Sequence, residues 1–255
     1  MLHPLLDTLT ELKCNGMKAA LQEQMQHAQI DSLSFDERLQ LLLERELTHR
    51  NNRRLQQKLK HAKLKQSASI ENVDFKTARG LDKALFLSLT SCQWVKEHQS
   101  VLLTGATGTG KSYLACALAH QACLNNFSAT YIRLPRLFQE VLMAKGDGRY
   151  SRFMSQLSKV DVLILDDFGL QTLNEDQCRD LLEIVDDRHR TRSTIITSQL
   201  PVKHWHEAFS NPTLADAILD RLVHQAHKLQ LNGASLRKKS AAPMDEALAL
   251  KEVID

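Results

Sequence analysis

The sequence predicts an α/β fold in which a five-stranded, mostly parallel sheet carries helices on both faces and follows a small all-helical N-terminal segment. Short aliphatic and β-branched runs alternate with helical patterns in the second part of the chain, which is typical of buried parallel strands. A glycine-rich turn leads from the first of these runs into a helix, and leucines recur at helical spacing near the N-terminus. The expected strands are residues 101–104, 130–132, 162–165, 194–197 and 228–231.

Composition and charge limit the classes of protein to which the chain can belong. It has 255 residues, of which 43% are hydrophobic, enough for one large domain with a helical appendage. The formal net charge of +3 is too small to indicate a nucleic-acid partner by itself. The sequence has no signal-peptide pattern and no apolar run of about 18 residues, and its cysteines lack C-x-x-C spacing. We therefore expect a cytoplasmic protein with free thiols and no membrane contact.

The N-terminal segment, residues 1–66, is predicted to be helical apart from an interruption near Asn15 and Gly16. Ser34 begins the pattern S-F-D-E, in which a serine and a glutamate cap the start of a helix reciprocally. Leucines at helical spacing carry this second helix to about Lys65.

A polar, aperiodic stretch over residues 66–74 predicts a domain boundary. We therefore assign residues 1–66 to a helical N-terminal domain that serves oligomerisation, DNA binding or both. Residues 67–237 form the α/β core, and residues 238–255 form a short tail with at most one short amphipathic helix.

A phosphate-binding motif lies between the first expected strand and a helix. Residues 105–112 read GATGTGKS and match G-x-x-x-x-G-K-[ST] in the strand-to-helix context that this motif requires. Backbone N–H groups can turn toward phosphate oxygens, Lys111 can reach the β- and γ-phosphates of ATP, and the Ser112 hydroxyl can bind Mg²⁺. The candidate nucleotide-binding residues are Gly105, Ala106, Thr107, Gly108, Thr109, Gly110, Lys111 and Ser112.

Two aspartates end the third expected strand, in the stretch VDVLILDDFG at residues 160–169. A phosphate loop needs a neighbouring strand that supplies a carboxylate for the metal ion. Asp166 is therefore the candidate second ligand of Mg²⁺ beside Ser112, either directly or through water. Asp167 is the candidate general base that orients and deprotonates the attacking water. Two adjacent carboxylates indicate that the nucleotide is hydrolysed rather than stored.

A third polar strand end follows in TIITSQLP, residues 194–201. In a doubly wound sheet this strand lies between the other two, so Ser198 and Gln199 are expected beside the γ-phosphate. Either side chain could hold the attacking water, and the alternative is an ordinary turn before Pro201. A small-molecule kinase would share the phosphate loop but would not need this feature.

With these motifs in place, the chain resembles the AAA+ ATPases of the DnaC/IstB group over about residues 1–240. The motifs that carry the resemblance are GATGTGKS, VLILDDFG, TSQLPVKHWHEAF, NPTLADAILDRL and GASLR. Their order and spacing are more similar to the IstB-like helper ATPases of insertion sequences than to the DnaC helicase loaders. The resemblance implies a nucleotide-dependent, DNA-binding ATPase that forms a homo-oligomer and helps the transposase of its element to choose and use target DNA.

The resemblance also implies roles for two arginines. Arg221 of the DRL motif corresponds to the finger that enters a neighbouring subunit's ATP site, and Arg237 of the SLR motif corresponds to the second sensor of nucleotide. From the residues alone, the alternative for Arg221 is a surface contact with the helical turn of Ala217 and Gln225 or an ion pair with Asp220. Only residues 238–255 follow Arg237, so a full AAA+ lid domain is not expected and its contact with nucleotide lacks the usual platform.

A dense group of basic residues predicts where DNA binds. Eight lysines and arginines accompany the single acid Glu46 in the later part of the second helix, and a polyanion would relieve their mutual repulsion. Because no aromatic residue lies among them, contact with the duplex backbone is favoured over stacking on bases. The alternative is a solvated helix face that packs its leucines on the next subunit. The eight residues are Arg45, Arg50, Arg53, Arg54, Lys58, Lys60, Lys63 and Lys65.

Together, these features predict an ATP–Mg²⁺ hydrolase that assembles on duplex DNA and hands the target to a transposase. A replicative helicase loader and a small-molecule kinase are the two alternatives.

Overall fold

The structure, a computed structural model, describes residues 4–26, 30, 32–233 and 235–236. The chain divides into two compact units, Met1–Lys60 and His61–Asp255. This division falls shortly before the domain boundary expected at residue 66. The expected tail, residues 238–255, lies outside the described residues.

The N-terminal helices are α1 (Pro4–Glu11), α2 (Asn15–Gln26) and α3 (Phe35–Ala62). Residues 12–14 separate α1 from α2, so the helical structure is interrupted just before Asn15 and Gly16, near the predicted position. The buried carboxylate of Glu46, on α3, accepts hydrogen bonds from the Gly16 N–H at 2.7 Å and the Met17 N–H at 3.1 Å. A negative charge at the N-terminus of α2 satisfies its free N–H groups and interacts favourably with the helix dipole.

The start of α3 confirms the predicted capping box. The Glu37 N–H donates to Ser34 Oγ at 3.4 Å, and the Ser34 N–H donates to Glu37 Oε2 at 2.8 Å. The predicted end near Lys65 is wrong, because α3 ends at the fully buried Ala62. Lys63 follows with a φ of 49°, a left-handed conformation that terminates the helix.

Five parallel strands form the sheet of the second unit, in the order β2-β3-β4-β1-β5. They are β1 (Ser100–Gly105), β2 (Ala129–Arg133), β3 (Val162–Phe168), β4 (Ser193–Ser198) and β5 (Ala226–Leu231). Each strand contains one of the five runs expected from the sequence and extends beyond it. The predicted α/β fold is confirmed.

Helices flank this sheet and enclose its core. They are α4 (Lys83–Leu89), α5 (Gln93–Lys96), α6 (Lys111–Leu124), α7 (Leu134–Gly146), α8 (Tyr150–Lys159), α9 (Glu175–Arg188) and α10 (Pro212–Val223). Leu102 of β1, Leu163 of β3 and Ile196 of β4 are fully buried in one cluster with residues of α7 to α10. The middles of the central strands are therefore apolar, and polar side chains appear toward the ends of the strands.

The strand order determines which loops meet. Parallel strands end at the same edge of the sheet, and β4 lies between β1 and β3. The segments that follow these three strands are therefore neighbours, as expected for the phosphate loop, the two aspartates and the TSQLP stretch.

Two expectations about thiols and membranes can be compared with the structure. Each of the five cysteines has a free thiol, and four of them are buried. Among the described residues, no helix has both the length and the apolar composition to cross a bilayer.

Candidate nucleotide-binding site

The phosphate loop connects β1 to α6 through a tightly curled backbone. Gly105 has a φ of 144° and Gly108 a φ of 84°, in the region that favours glycine. A Cβ at Gly105 would collide with the carbonyl oxygen of Leu231, and one at Gly108 would collide with the Ser235 side chain. Only glycine fits at these two positions, so the loop can keep the close turn that a phosphate cradle needs.

The side chain of Lys111 folds into this loop. Its ammonium donates to the carbonyl oxygens of Gly105 at 2.7 Å and Ala106 at 2.9 Å. Thr109 also supports the loop, because its hydroxyl donates to the Ala106 carbonyl at 2.9 Å. The ammonium is therefore held within the cradle, at the N-terminus of α6, where a flexible lysine stem can turn it toward phosphate.

Asp166 is the most densely hydrogen-bonded carboxylate of the site, with a side chain only 1% exposed. It accepts from the hydroxyl of Ser112 at 2.8 Å and 3.1 Å, and from the hydroxyls of Tyr131 and Thr197. Lys65 Nζ lies 3.2 Å from its Oδ2 atom. Burial alone would raise the pKa of Asp166, but these three hydroxyl donors and the Lys65 ammonium outweigh it and hold the pKa below its ordinary value.

The pair formed by Ser112 and Asp166 fits a magnesium ion. The hydroxyl and the ionised carboxylate are in direct contact, at the start of α6 and the end of β3. Oxygen donors of this kind are the ligands that Mg²⁺ takes in proteins, together with phosphate oxygens and water.

The second aspartate of the pair, Asp167, has a different partner from the first. It has a φ of 64°, and the pairing of β3 with β4 shifts between Leu165 and Phe168, so a bulge redirects the side chain. Its Oδ2 atom accepts from Arg133 Nε at 2.6 Å, at the end of β2. The candidate base therefore lies in the site with one of its two carboxylate oxygens bound to an arginine.

The structure distinguishes the two candidates for holding water. Ser198 is buried, and its hydroxyl donates to the Phe168 carbonyl at 2.7 Å while accepting from the Leu200 N–H at 3.1 Å. Gln199 is exposed, and its Oε1 atom accepts from the Thr107 hydroxyl of the phosphate loop at 2.7 Å. Ser198 therefore has a structural role in the turn, and Gln199 remains as the candidate for orienting water.

A cleft of about 310 Å³ brings most of the predicted residues together. Its lining includes Lys65, Thr107, Gly108, Gly110, Lys111, Ser112, Asp167, Thr197, Ser198 and Gln199. Asp166 lies beneath this cleft, in contact with Ser112.

Sequence reasoning missed four residues of the site. Thr197 could have been suspected, because it precedes the polar pair at the end of β4. Tyr131 and Arg133 belong to β2, where Arg133 pairs with Asp166 in register, but no motif marks them. Lys65 was expected on the basic helix that binds DNA. Instead it lies after the end of α3, and its ammonium contacts Asp166.

Arg221 lies at the opposite edge of the sheet. On α10, its Nε donates to Asp186 Oδ1 at 2.6 Å and its NH1 to the Ala217 carbonyl at 2.9 Å. It lines a cleft with Ser100 and Thr194, at the beginnings of β1 and β4, whereas the phosphate loop follows the end of β1. Within one chain the structure does not bring this arginine to the phosphate loop. The other predicted arginine, Arg237, lies outside the described residues.

The eight basic residues expected to bind DNA have different surroundings. Arg45 forms an ion pair with Glu23 at 3.1 Å, and Arg50 forms one with Glu46 at 2.6 Å. Lys65 contacts Asp166, and Lys58 is half-buried. The remaining four of the eight basic residues are exposed: Arg53, Arg54, Lys60 and Lys63.

Known proteins resemble this chain in sequence over most of its length. The sequence profile of the family described as IstB-like ATP binding protein matches residues 7–243. The insertion sequence ATP-binding protein y4pL of Sinorhizobium fredii is 51% identical over 236 residues, which cover 92% of this chain and 96% of that protein.

Solved structures show the same fold. The crystal structure of DnaI superimposes with a TM-score of 0.57 at 23% identity, covering 65% of this chain and 91% of that chain. The DnaC helicase loader superimposes with a TM-score of 0.52 at 18% identity, covering 58% and 87%. These likenesses, at low identity, establish a P-loop AAA+ fold.

Substitutions at the two candidates for holding water should separate their roles. Gln199→Ala should lower nucleotide hydrolysis by roughly tenfold to hundredfold with little change in nucleotide affinity, because it removes a group that positions the reacting water. Ser198→Ala should lower the free energy of unfolding by about 1–3 kcal/mol, because it leaves the Phe168 carbonyl and the Leu200 N–H without their partner. Phosphate release, nucleotide titration and urea unfolding measure these effects. Full hydrolysis by Gln199→Ala, together with loss of hydrolysis in a stable Ser198→Ala, would reverse the assignment.

Proposed function

The chain belongs to the IstB-like ATP-binding protein family, and on this premise we propose that it hydrolyses ATP, assembles on duplex DNA and assists the transposase of an insertion sequence. The relative y4pL is named as an insertion sequence ATP-binding protein, which supports the transposition context. The AAA+ fold and the phosphate loop support nucleotide as the ligand.

The observation that carries the proposal is the contact of the Ser112 hydroxyl with the buried, ionised Asp166 at 2.8 Å. These two oxygen donors would hold Mg²⁺ beside the phosphates gripped by the loop and Lys111. A bound Mg²⁺ would neutralise charge on the β- and γ-phosphate oxygens. The chain itself binds the triphosphate through the N–H groups of the loop and the N-terminus of α6.

Residues at the mouth of the cleft support hydrolysis rather than storage. Gln199 is held over the phosphate loop by Thr107, in a position to orient a water. Asp167 would accept the proton of that water. The ion pair with Arg133 holds one oxygen of this carboxylate at 2.6 Å.

A shared site explains the position of Arg221. Because this arginine lies at the opposite edge of the sheet from the phosphate loop, it can contact a γ-phosphate only in another copy of the chain. To make that contact, Arg221 would exchange its ion pair with Asp186 of α9 for the phosphate. A guanidinium supplied by a neighbour stabilises the charge of the transition state, and such fingers contribute roughly 10³ to 10⁵ in rate. We therefore assign the active form to a homo-oligomer.

Variants of the two catalytic roles test the shared site. Arg221→Ala should leave nucleotide affinity intact and lower hydrolysis about 10³-fold, because the transition state loses its finger. Asp167→Asn should also bind nucleotide without hydrolysing it. Mixing the two inactive variants should restore activity, because some interfaces join an intact Asp167 to an intact Arg221.

The control for this experiment is Arg179→Ala, which removes an exposed ion pair with Glu175 on α9 and should change hydrolysis little. Failure of every mixing ratio to restore phosphate release would contradict the shared site. Lys111→Ala, which removes the phosphate-binding ammonium, should abolish nucleotide binding in either background.

The exposed arginines of α3 are the proposed contacts with duplex phosphates. Arg53 and Arg54 are adjacent and exposed, and they lie on the same helix as Lys60. A double substitution of Arg53 and Arg54 by alanine should weaken binding to duplexes of any sequence. It should also make the log–log salt dependence of binding shallower by about 1.8, since each phosphate contact contributes about 0.9.

The matched control removes two positive charges elsewhere in the same unit, at Lys13 and Lys18. Fluorescence anisotropy at several salt concentrations measures both double variants. An equal loss from the control pair would show that total charge, rather than these arginines, determines DNA affinity.

Helicase loading remains the alternative function that the fold allows, because the DnaC helicase loader shares the fold. Retention of a replicative helicase, with no retention of the transposase, on the immobilised protein would favour that alternative.

A further inference from the structure

The feature that the proposed function leaves unexplained is a lysine at the metal site. Lys65 follows α3 in the chain, and its Nζ atom lies 3.2 Å from Oδ2 of Asp166. Its side chain is 38% exposed, whereas that of Asp166 is 1% exposed. Lys65 also lines the same cleft as Lys111 and Ser112. A cation of the chain therefore contacts the carboxylate assigned to Mg²⁺.

The two oxygens of Asp166 have little capacity left for a further partner. Oδ1 accepts from Thr197 and Ser112, and Oδ2 accepts from Tyr131, from Lys65 and, at 3.1 Å, from Ser112. A carboxylate oxygen offers about two lone-pair directions, so a metal ion that binds Oδ2 needs one of the donors of that oxygen to leave. A divalent ion would also repel an ammonium bound to the same oxygen.

Lys65 is the donor that can leave at least cost. Thr197 and Tyr131 lie on β4 and β2, and Ser112 is itself a candidate metal ligand. Lys65 has a flexible stem and partial access to water, so its ammonium can become hydrated again when it moves away.

We infer that Lys65 is a resident counter-ion of the metal site. Its ammonium neutralises Asp166 in the absence of Mg²⁺ and leaves when Mg²⁺ binds, so the ion pair and the bound metal exclude each other. This inference rests on the proposed ATP–Mg²⁺ function. It makes Lys65 a positioning residue that acts through Asp166, and it separates Lys65 from the DNA-binding residues.

Mutual exclusion has two opposite consequences for Lys65→Met. In this variant Mg²⁺ no longer has to displace an ammonium from Asp166, so the affinity of the site for metal should rise about three- to tenfold. In the absence of metal, the bare charge of Asp166 would repel the triphosphate, so ATP affinity should fall by a similar factor. A substitution that only damaged the structure would lower both affinities.

The test uses the full chain and two binding measurements. Mn²⁺, followed by electron paramagnetic resonance in the presence of ADP, reports metal affinity. A fluorescent ATP analogue titrated in EDTA reports metal-free nucleotide affinity. Lys63→Met, at an exposed residue two positions earlier, is the matched control and should change neither. Lys65→Arg keeps the charge and should stay near wild type in both.

Opposite shifts in Lys65→Met, absent from the control, would support the inference. Two unchanged affinities, two affinities that fall together, or equal shifts in Lys63→Met would overturn it. Lys65→Gln serves as the second neutral variant and carries the same expectations should Lys65→Met not fold. A wild-type chain that binds no ATP under any condition would instead overturn the proposed function, and this inference with it.

Discussion

The rest of the site depends on a negative charge held almost completely away from water. A buried carboxylate costs several kcal/mol unless donors surround it. Asp166 meets this requirement through Ser112 of α6, Tyr131 of β2, Thr197 of β4 and Lys65 of the segment after α3. The same hydrogen bonds that keep the carboxylate ionised fix the start of the phosphate-loop helix against the end of β3. The proposed metal binding and the local architecture therefore depend on the same hydrogen bonds.

Candidate functional residues lie at both ends of the parallel strands. The carboxyl ends of β1, β3 and β4 carry the phosphate loop, Asp166, Asp167 and Gln199, whereas Arg221 lies with the beginnings of β1 and β4. A single copy thus presents a binding cleft at one edge and a candidate finger at the other. Head-to-tail association of copies would join the two edges, and each copy would complete the site of the next.

Local patterns in the sequence predicted the strands and the phosphate loop, because apolar runs and glycine spacing reflect interactions between near neighbours in the chain. The start of α3 was predicted for the same reason, through the reciprocal cap of Ser34 and Glu37. The meeting of Ser112 with Asp166 was predicted because a motif marks both segments, but contacts of distant residues outside the motifs were not. Lys65 is 101 residues from Asp166 and looked like part of a basic helix, and the β3 bulge that separates the two aspartates leaves no sequence signal. Ser198 and Gln199 were equivalent by position and differ only in burial.

If one copy of the chain completes the ATP site of another, hydrolysis depends on the association of copies, and dilution separates them. The rate of ATP hydrolysis per subunit is measured over a wide range of protein concentration, at saturating Mg²⁺ and ATP. With a shared site, this specific rate should rise with concentration as copies associate and fall toward zero on dilution. A specific rate that stays constant down to the lowest concentration would show that a single chain holds a complete site, and the shared site would then be wrong.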